Sequence, residues 1–531
     1  MPAKIFMLLG LILCELTYGQ IDFNQNSNQW DLKVELSALK ARKLSVSPLK
    51  EDFTLFHIEG LKNAQTPGAP SLPYYSFLVA AKAVDLQADV DFSYKDLLPG
   101  KALPAPLLPC RCDLNKEVSY PLNLESYEDG GRSMVEIVDL GDYRGMPISQ
   151  VVIRPLLQGT KGIFRFHDLS LRLTHRLGQE LRAPQIKEAN KKMILVGSRH
   201  LKGSMERFKN YKESLGFEVK SFIYEDIAGS AEDLRVSLRN IYADFDYQYA
   251  VFFGFEQDIP PFRVETISDL KTPSDFPYFT HGGQGDLVAD VFYGRMVGRD
   301  DREIDSQIDK IQEYDQGLWA DSQGSHQIIG IASNEGWDPS DVDYMKQMTA
   351  PFEEEYFFTT ETFFQDDANS NSHDINQALN TGARWLNYIG HGSGNSWSSL
   401  TQGEYHSRDV LELRAEGVKP IIIDVACQNG RFNNSARLGE TFQTARADGR
   451  PIGSVAFFGG SVDISWDPPA LMAIGINESL RTKSDVPLFQ AISAGQLHLL
   501  STYEDLDAAK ENLLWYHLLG DPSMSIGELS P

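Results

Sequence analysis

Hydrophobic positions along the chain follow two rhythms, and residues 181–191 separate them. Upstream, short stretches alternate. In "GIFRFHDLSLRLTHRL", Leu169, Leu171 and Leu173 alternate with Ser170, Arg172 and Thr174, and "VEIVDLGDYRGMPISQVVIRPLLQG" reads in the same way. A period of two puts one apolar face against a core, which predicts strands. Residues 20–180 are therefore expected to form a β-rich, sandwich-like N-terminal domain. The segment 181–191 is charged and weakly periodic and predicts an exposed linker.

From residue 192 onward, short continuous apolar runs replace the alternation. "MILVGS", "YAVFFGF", "ADVFYGRM", "QIIGIASN", "RWLNYIGH", "PIIIDVAC" and "IGSVAFFGG" are strand candidates, many of them separated by amphipathic helical patterns. One such pattern, "SMERFKNYKESLG", predicts a helix with Ser204 as its cap and Gly216 as its stop. Strands apolar on both faces, alternating with helices, predict an α/β domain over residues 192–531 built on a doubly wound, mainly parallel sheet.

Composition narrows the function classes. With 42% hydrophobic residues the chain reads as globular. A formal net charge of −25 argues against nucleic acid or an anionic membrane as the main partner, because both repel an acidic surface. Residues 1–19 read as a secretory signal, with Lys4, an apolar stretch Ile5–Leu13 and the small Gly19 at the cut. That stretch is too short to span a bilayer, and no later stretch has spanning length, so no stable membrane insertion is expected. A lipid-carrying Cys14 is the alternative within the leader, against which bulky Leu13 argues. The mature protein is expected outside the cell or in the periplasm. Three cysteines remain, Cys110, Cys112 and Cys427. The first two share one face of an extended chain and pair poorly. This is no disulfide scaffold, and Cys427 reads as a lone thiol.

In open α/β sheets, ligands gather at the carboxyl ends of the strands. Two such ends carry chemistry. "RWLNYIGHGSGNSW" delivers His391 just past its strand, followed by Gly392 and Gly394, and "IIIDVACQNG" delivers Cys427 in the same way. The 36 residues between them allow one crossover to a neighbouring strand. A thiol of pKa about 8.5 is mostly protonated at neutral pH, and an adjacent imidazole generates the thiolate nucleophile. The backbone amides of Gly392 and Cys427 would make an oxyanion hole worth about 3 kcal/mol per donor. The bland reading is that His391 caps a turn and Cys427 fills a gap in the core.

"NYIGHGSGNSW", "DVACQNGRF" and "LLGDPSM", with "FYGRMVGR" and "IASNEG" in the same order, resemble the gingipain-type cysteine peptidases of peptidase family C25, in the caspase-like clan. The resemblance covers roughly residues 192–526. It implies a caspase–hemoglobinase-like fold, with Cys427 as nucleophile and His391 as general base and acid. It further implies Glu335, in "IASNEG", as the carboxylate that orients the histidine. Asp424, within its strand, reads as structural. An S1 pocket selecting Arg or Lys is implied with Asp341 at its base, Asp338 and Asp343 being alternatives, and Trp466 as an aromatic wall. The N-terminal domain is then an intramolecular prodomain of a zymogen, cut between about Arg176 and Lys192, and the substrates are proteins or peptides. No cofactor is required for the chemistry. Structural calcium is possible near loops such as "YEDI" and "FEQDIP". "FTHGGQGDLVAD", with His281, Asp286 and Asp290, reads as a loop. Two rival functions use the same scaffold: a non-catalytic secreted binding or adhesion protein, and a sortase-like transpeptidase whose acyl-enzyme is resolved by an amine.

Overall fold

The protein is represented by a computed structural model that describes residues 21–529 apart from short stretches at 27, 35, 37–38, 47–48, 50, 109–117, 129–130, 187–188, 284, 318–322, 337–338, 415–416, 482–484 and 528. The leader with Cys14, and Cys110 and Cys112, lie outside the described residues.

The alternating stretches form strands as expected. Leu169–His175 pairs with Gln29–Val34 and Leu86–Asp91 in one four-stranded sheet, and Val135–Tyr143, Met146–Ile153 and Pro73–Val79 belong to another. Leu169, Leu171 and Leu173 are buried while Arg172 faces solvent. They share a core with Trp30, Phe77 and Val151, so side chains from the two sheets meet there. The last of these strands ends at His175 and the next begins at Lys192. The connecting segment departs from the expected exposure: Ala183, Ile186 and Ala189 are partly buried against the cores. Leu181 is buried in the N-terminal core, and the Arg182 carbonyl accepts a hydrogen bond from Ala80 N at 2.8 Å.

The second region carries a ten-stranded sheet. In chain order its strands are β1 (Lys192–Gly197), β2 (Glu218–Ile223), β3 (Tyr249–Phe253), β4 (Phe292–Met296), β5 (Gln327–Ala332), β6 (Thr359–Phe364), β7 (Trp385–Ile389), β8 (Ile421–Val425), β9 (Ala456–Gly460) and β10 (Tyr516–Leu519). Their spatial order is β2-β1-β3-β4-β10-β9-β8-β7-β5-β6. Every neighbouring pair is parallel except β10 with β9. The sheet is thus two five-stranded parallel halves running in opposite directions, joined where β10 returns to the centre. Most central strands are buried over their whole length, which is why they read as continuous apolar runs.

The helix after β1 spans Lys202–Ser214 and stops at Gly216 (φ 85°), as expected. Ser204 is not its cap. It lies inside the helix, buried, with its Oγ 2.9 Å from Asp305. A short 3₁₀ turn over Arg199–Leu201 starts the helix earlier than a capping rule would place it. Among the described residues no helix is long and apolar enough to cross a membrane.

The two regions are closely joined. Glu504, only 2% exposed, accepts from Arg154 Nη2 at 3.1 Å and Arg132 Nη1 at 2.5 Å. Gln150, Tyr74 and Ser76 donate to the carbonyls of Leu500, Thr502 and Ser501. The "FTHGGQGDLVAD" loop seats the hairpin Val135–Ile153. Asp290 Oδ1 accepts from Arg144 N at 2.7 Å, and Leu287 N donates to Leu140 O at 2.7 Å. Gly141 (φ 124°) permits this approach, since a Cβ there would fall 2.1 Å from Asp286 Oδ1.

Two predictions follow from this interface. Glu504→Ala leaves Arg132 without this ion partner and Arg154 with Glu136 alone, so chemical denaturation should show a loss of about 1–3 kcal/mol; an unchanged midpoint would deny Glu504 its role. Burial pushes Asp286 up to about 6 against the pull of its backbone donors. The folded state then holds that proton more tightly than the unfolded one. Its stabilisation is full below about pH 4 and is lost as pH rises through about 6. Unfolding free energies measured across that window should fall less steeply for Asp286→Asn than for the wild type.

Candidate active site

Strands β7 and β8 lie side by side and parallel, in a register that pairs Trp385 with Ile421 and Ile389 with Val425. Two residues beyond the last pair stand His391 and Cys427, level with each other. Alternation decides the face. Ile389, Val425 and Cys427 belong to the larger core, whereas Leu386, Tyr388, Ile422 and Ala426 belong to the core on the other side. His391 and Cys427 therefore point to the same side of the sheet, the side covered by the helices Asp341–Tyr356 and Asp467–Glu478. The imidazole is 2% exposed and the thiol 0%. Sγ accepts a hydrogen bond from Ile464 N at 3.3 Å.

Glu335 arrives from the next strand. β5 pairs with β7, with Ala332 opposite Ile389. Glu335 Oε2 lies 2.6 Å from His391 Nε2, and its side chain is 33% exposed. Three neighbouring strands thus deliver the carboxylate, the imidazole and the thiol in that order. The loop carrying Glu335 is held by a short chain of bonds: Glu335 N donates to Ser333 Oγ, Ser333 Oγ donates to Asp341 Oδ2 at 2.7 Å, and Asp341 N returns to Glu335 O at 2.9 Å.

The same chain shows what the carboxylate of Asp341, the residue the resemblance implies at the base of an S1 pocket, bonds to in this structure. Asp341 is 0% exposed, in the first turn of the helix capped by Ser340, and its carboxylate braces the Glu335 loop. Of the two alternatives, Asp343 is exposed, bonded to Ser340, whose hydroxyl and amide hold its carboxyl below the usual range. Asp338 lies outside the described residues. Trp466 does reach the site. It precedes the helix Asp467–Glu478, is 3% exposed, and sets its ring edge-on to His391 with centroids 5.9 Å apart.

Gly392 packs directly on the backbone of Cys427. A Cβ there would lie 2.5 Å from Cys427 O and 2.9 Å from Cys427 N. Gly392 bridges Trp397 through its neighbours, Ser398 N to His391 O and Ser393 N to Ser396 O. That pattern turns the amide of Gly392 itself out of the ladder.

Behind these groups, on the opposite face, sits Asp424. Its Oδ1 accepts from Trp397 Nε1 at 2.5 Å and from Asn429 Nδ2 at 3.4 Å, while Asn429 Oδ1 accepts from Gly394 N at 3.1 Å. Burial pushes Asp424 up to about 7. Its position agrees with the structural role read from the sequence: it ties the His391 loop to the Cys427 turn. That turn needs an unusual backbone. Gln428 has φ 62° and is anchored by its N to Val462 O and by its Nε2 to Asp463 Oδ1. Sequence reasoning missed Ser333, Trp397, Asn429 and Asp463. Only Asn429 had a local signal, its place in "CQNG" beside the nucleophile.

Among the described residues no group of three or more His, Cys, Asp or Glu side chains is placed to hold a metal ion. "YEDI" forms a single helical turn, Tyr224–Ile227, in which Glu225 accepts from Ser198 Oγ, and in "FEQDIP", Asp258 accepts from Phe255 N.

A family model described as peptidase family C25 matches residues 186–527. Gingipain R1 of Porphyromonas gingivalis is 27% identical over 386 residues, 70% of this chain and 38% of that protein. Lys-gingipain of the same organism is 21% identical over 340 residues, 61% of this chain and 18% of that protein. The chain therefore spans less than half the length of these curated relatives. Among solved structures, the Arg specific cysteine proteinase gingipain R shares the fold at a TM-score of 0.58 and 24% identity, over 64% of this chain and 79% of that one. A complex of Porphyromonas gingivalis RgpB pro- and mature domains matches at 0.58 and 25% identity, over 63% and 79%. The family match runs through Glu335, His391 and Cys427, the three side chains that adjacent strands bring together, and on it the chain belongs to peptidase family C25.

Proposed function

We propose that the chain is an exported cysteine endopeptidase made with its own N-terminal inhibitor. One observation carries this reading: His391 stands level with Cys427 on paired strands while its Nε2 is engaged by Glu335 at 2.6 Å. In the proposed reaction His391 Nδ1 takes the thiol proton, and the thiolate adds to the scissile carbonyl. Glu335 fixes the tautomer and stabilises the imidazolium. The amides of Gly392 and Cys427 hold the oxyanion. His391 then protonates the leaving amine, and water, deprotonated by the same imidazole, releases the acyl group from sulfur. Trp466 steers the imidazole by packing edge-on against it. Neither a non-catalytic scaffold nor a core-filling cysteine accounts for a carboxylate aimed at this one histidine.

The N-terminal domain fits the role of an intramolecular prodomain. Gln65 Nε2 reaches across to Asp467 Oδ2 at 2.8 Å, next to Trp466, and the thiol is fully covered. Release is proposed through cleavage between about Arg176 and Lys192, where the Arg182 side chain is 68% exposed. The relative captured as a complex of pro- and mature domains supports this arrangement.

Peptide-library cleavage tests the reading. Cys427→Ala should lower kcat/KM by at least about a thousandfold, and Glu335→Gln by about a hundredfold or more. Undiminished cleavage by the first variant would remove the nucleophile. Gly392→Ala forces a carbon into the Cys427 backbone, so kcat should fall about a hundredfold with KM little changed; an unaffected kcat would move the oxyanion site elsewhere. Products that carry an added amine would identify a transpeptidase.

A further inference from the structure

Two arginines flank the turn that follows Cys427. Arg431 N closes that turn onto Gln428 O at 3.2 Å. Arg437 lies across the His391 loop: a Cβ on Gly394 (φ 90°) would fall 2.0 Å from Arg437 Nη1, and Leu438 N donates to Gly394 O at 2.9 Å. Arg437 therefore stands against the loop that carries Gly392, and Arg431 lies four residues along the chain from the thiol.

The formal net charge is −25, so carboxylates are plentiful. Yet among the described residues neither arginine forms an ion pair. The carboxylates nearby are spent on other donors. Glu440 accepts from the backbone amides of Asn434, Ser435 and Arg437, and Asp463 Oδ1 accepts from Gln428 Nε2. Arg437 has one long bond, 3.4 Å to Gln428 Oε1. The Nε of each arginine is buried and has no hydrogen-bond partner among the described residues. Burial, and then the charge of Arg431, weaken the hold of Arg437 on its proton. The charge of Glu440 offsets this only in part, so two half-desolvated guanidiniums that form no ion pair among the described residues cost stability, and a bound anion would relieve that cost.

We propose that Arg431 and Arg437 form a cationic subsite that takes a substrate carboxylate close to the scissile bond, on the Gly394 side of the site and away from Trp466. The inference deepens the peptidase reading and rests on it for the word substrate. The planar donor fork of arginine matches a carboxylate in two parallel bonds. The carboxylate can come from an acidic side chain or from the free C-terminus of a peptide, and both share this chemistry.

The test uses the full chain, with any processing it performs on itself, on peptides that differ only in Glu, Gln or Lys at each of the two positions on either side of the cut, with free or amidated C-termini. The expected result is a preference of about tenfold in kcat/KM for Glu over Gln at one position, or for the free over the amidated end. In Arg431→Gln and Arg437→Gln this ratio should fall towards one, and Arg437→Lys should restore part of it. A side-chain preference assigns an acidic residue, and an end-group preference assigns the terminal carboxylate. Equal rates for every member of the set would overturn the subsite and leave the peptidase reading intact. Fluorescence anisotropy of the same peptides on the Cys427→Ala chain separates the two ideas. Salt-sensitive, arginine-dependent binding of the carboxylate peptides without cleavage by the wild type would uphold the subsite and sink the peptidase. Neither cleavage nor carboxylate-dependent binding would sink both.

Discussion

The parallel pairing of β7 with β8 is the constraint on which the site depends. It sets Ile389 against Val425, and the period of two along each strand then forces His391 and Cys427 onto one face at one height. A slip of one residue in either strand would send one of the two side chains to the opposite core. The register is protected from below. Asp424 and Asn429 bind the β8 turn to the loop after β7, and they do so on the face that the chemistry does not use. A buried carboxylate is a costly tie. It is tolerated where a loop and a turn must keep their relation to within a fraction of an ångström.

The same economy of strands explains Glu335. Because β5 is the other neighbour of β7, a carboxylate two or three residues past its end comes within reach of the far side of the imidazole. The brace through Ser333 and Asp341 keeps that short loop in place. Asp341 thereby bears on the site through the Glu335 loop. On the other side of the His391 loop, Arg437 packs against Gly394 in a chain that is otherwise strongly acidic.

The N-terminal domain is tied to the larger one by donors and acceptors that are themselves buried, including Glu504 with its two arginines and Asp290 with the backbone of Arg144. Such contacts are strong when complete and costly when half-made. They suit a part that is either fully seated or fully gone, and Gln65 places one of them beside the wall of the site.

The broad outline was legible in sequence because it rests on local rules. The alternation of Leu169, Leu171 and Leu173, the continuous apolar runs of β7 and β8, and glycines beside His391 and Cys427 all report on neighbours within a few residues. Edge strands β2 and β6 escaped notice because only one residue in each is fully buried, and β10 because four residues after a helix carry too short a pattern. Ser204 looked like a cap, but its hydroxyl serves Asp305 on another helix. The bond from Ser333 to the carboxylate of Asp341 was likewise invisible in the sequence. The antiparallel joint between β10 and β9, the pairing of Asp424 with Trp397 and the approach of Arg437 to Gly394 are contacts between residues far apart in the chain. By itself the sequence determined which groups could react, because residue type and strand-end position are local properties. Only the tertiary structure decided which of them meet, because distance across a sheet is set by register and packing, and no short stretch of chain encodes either.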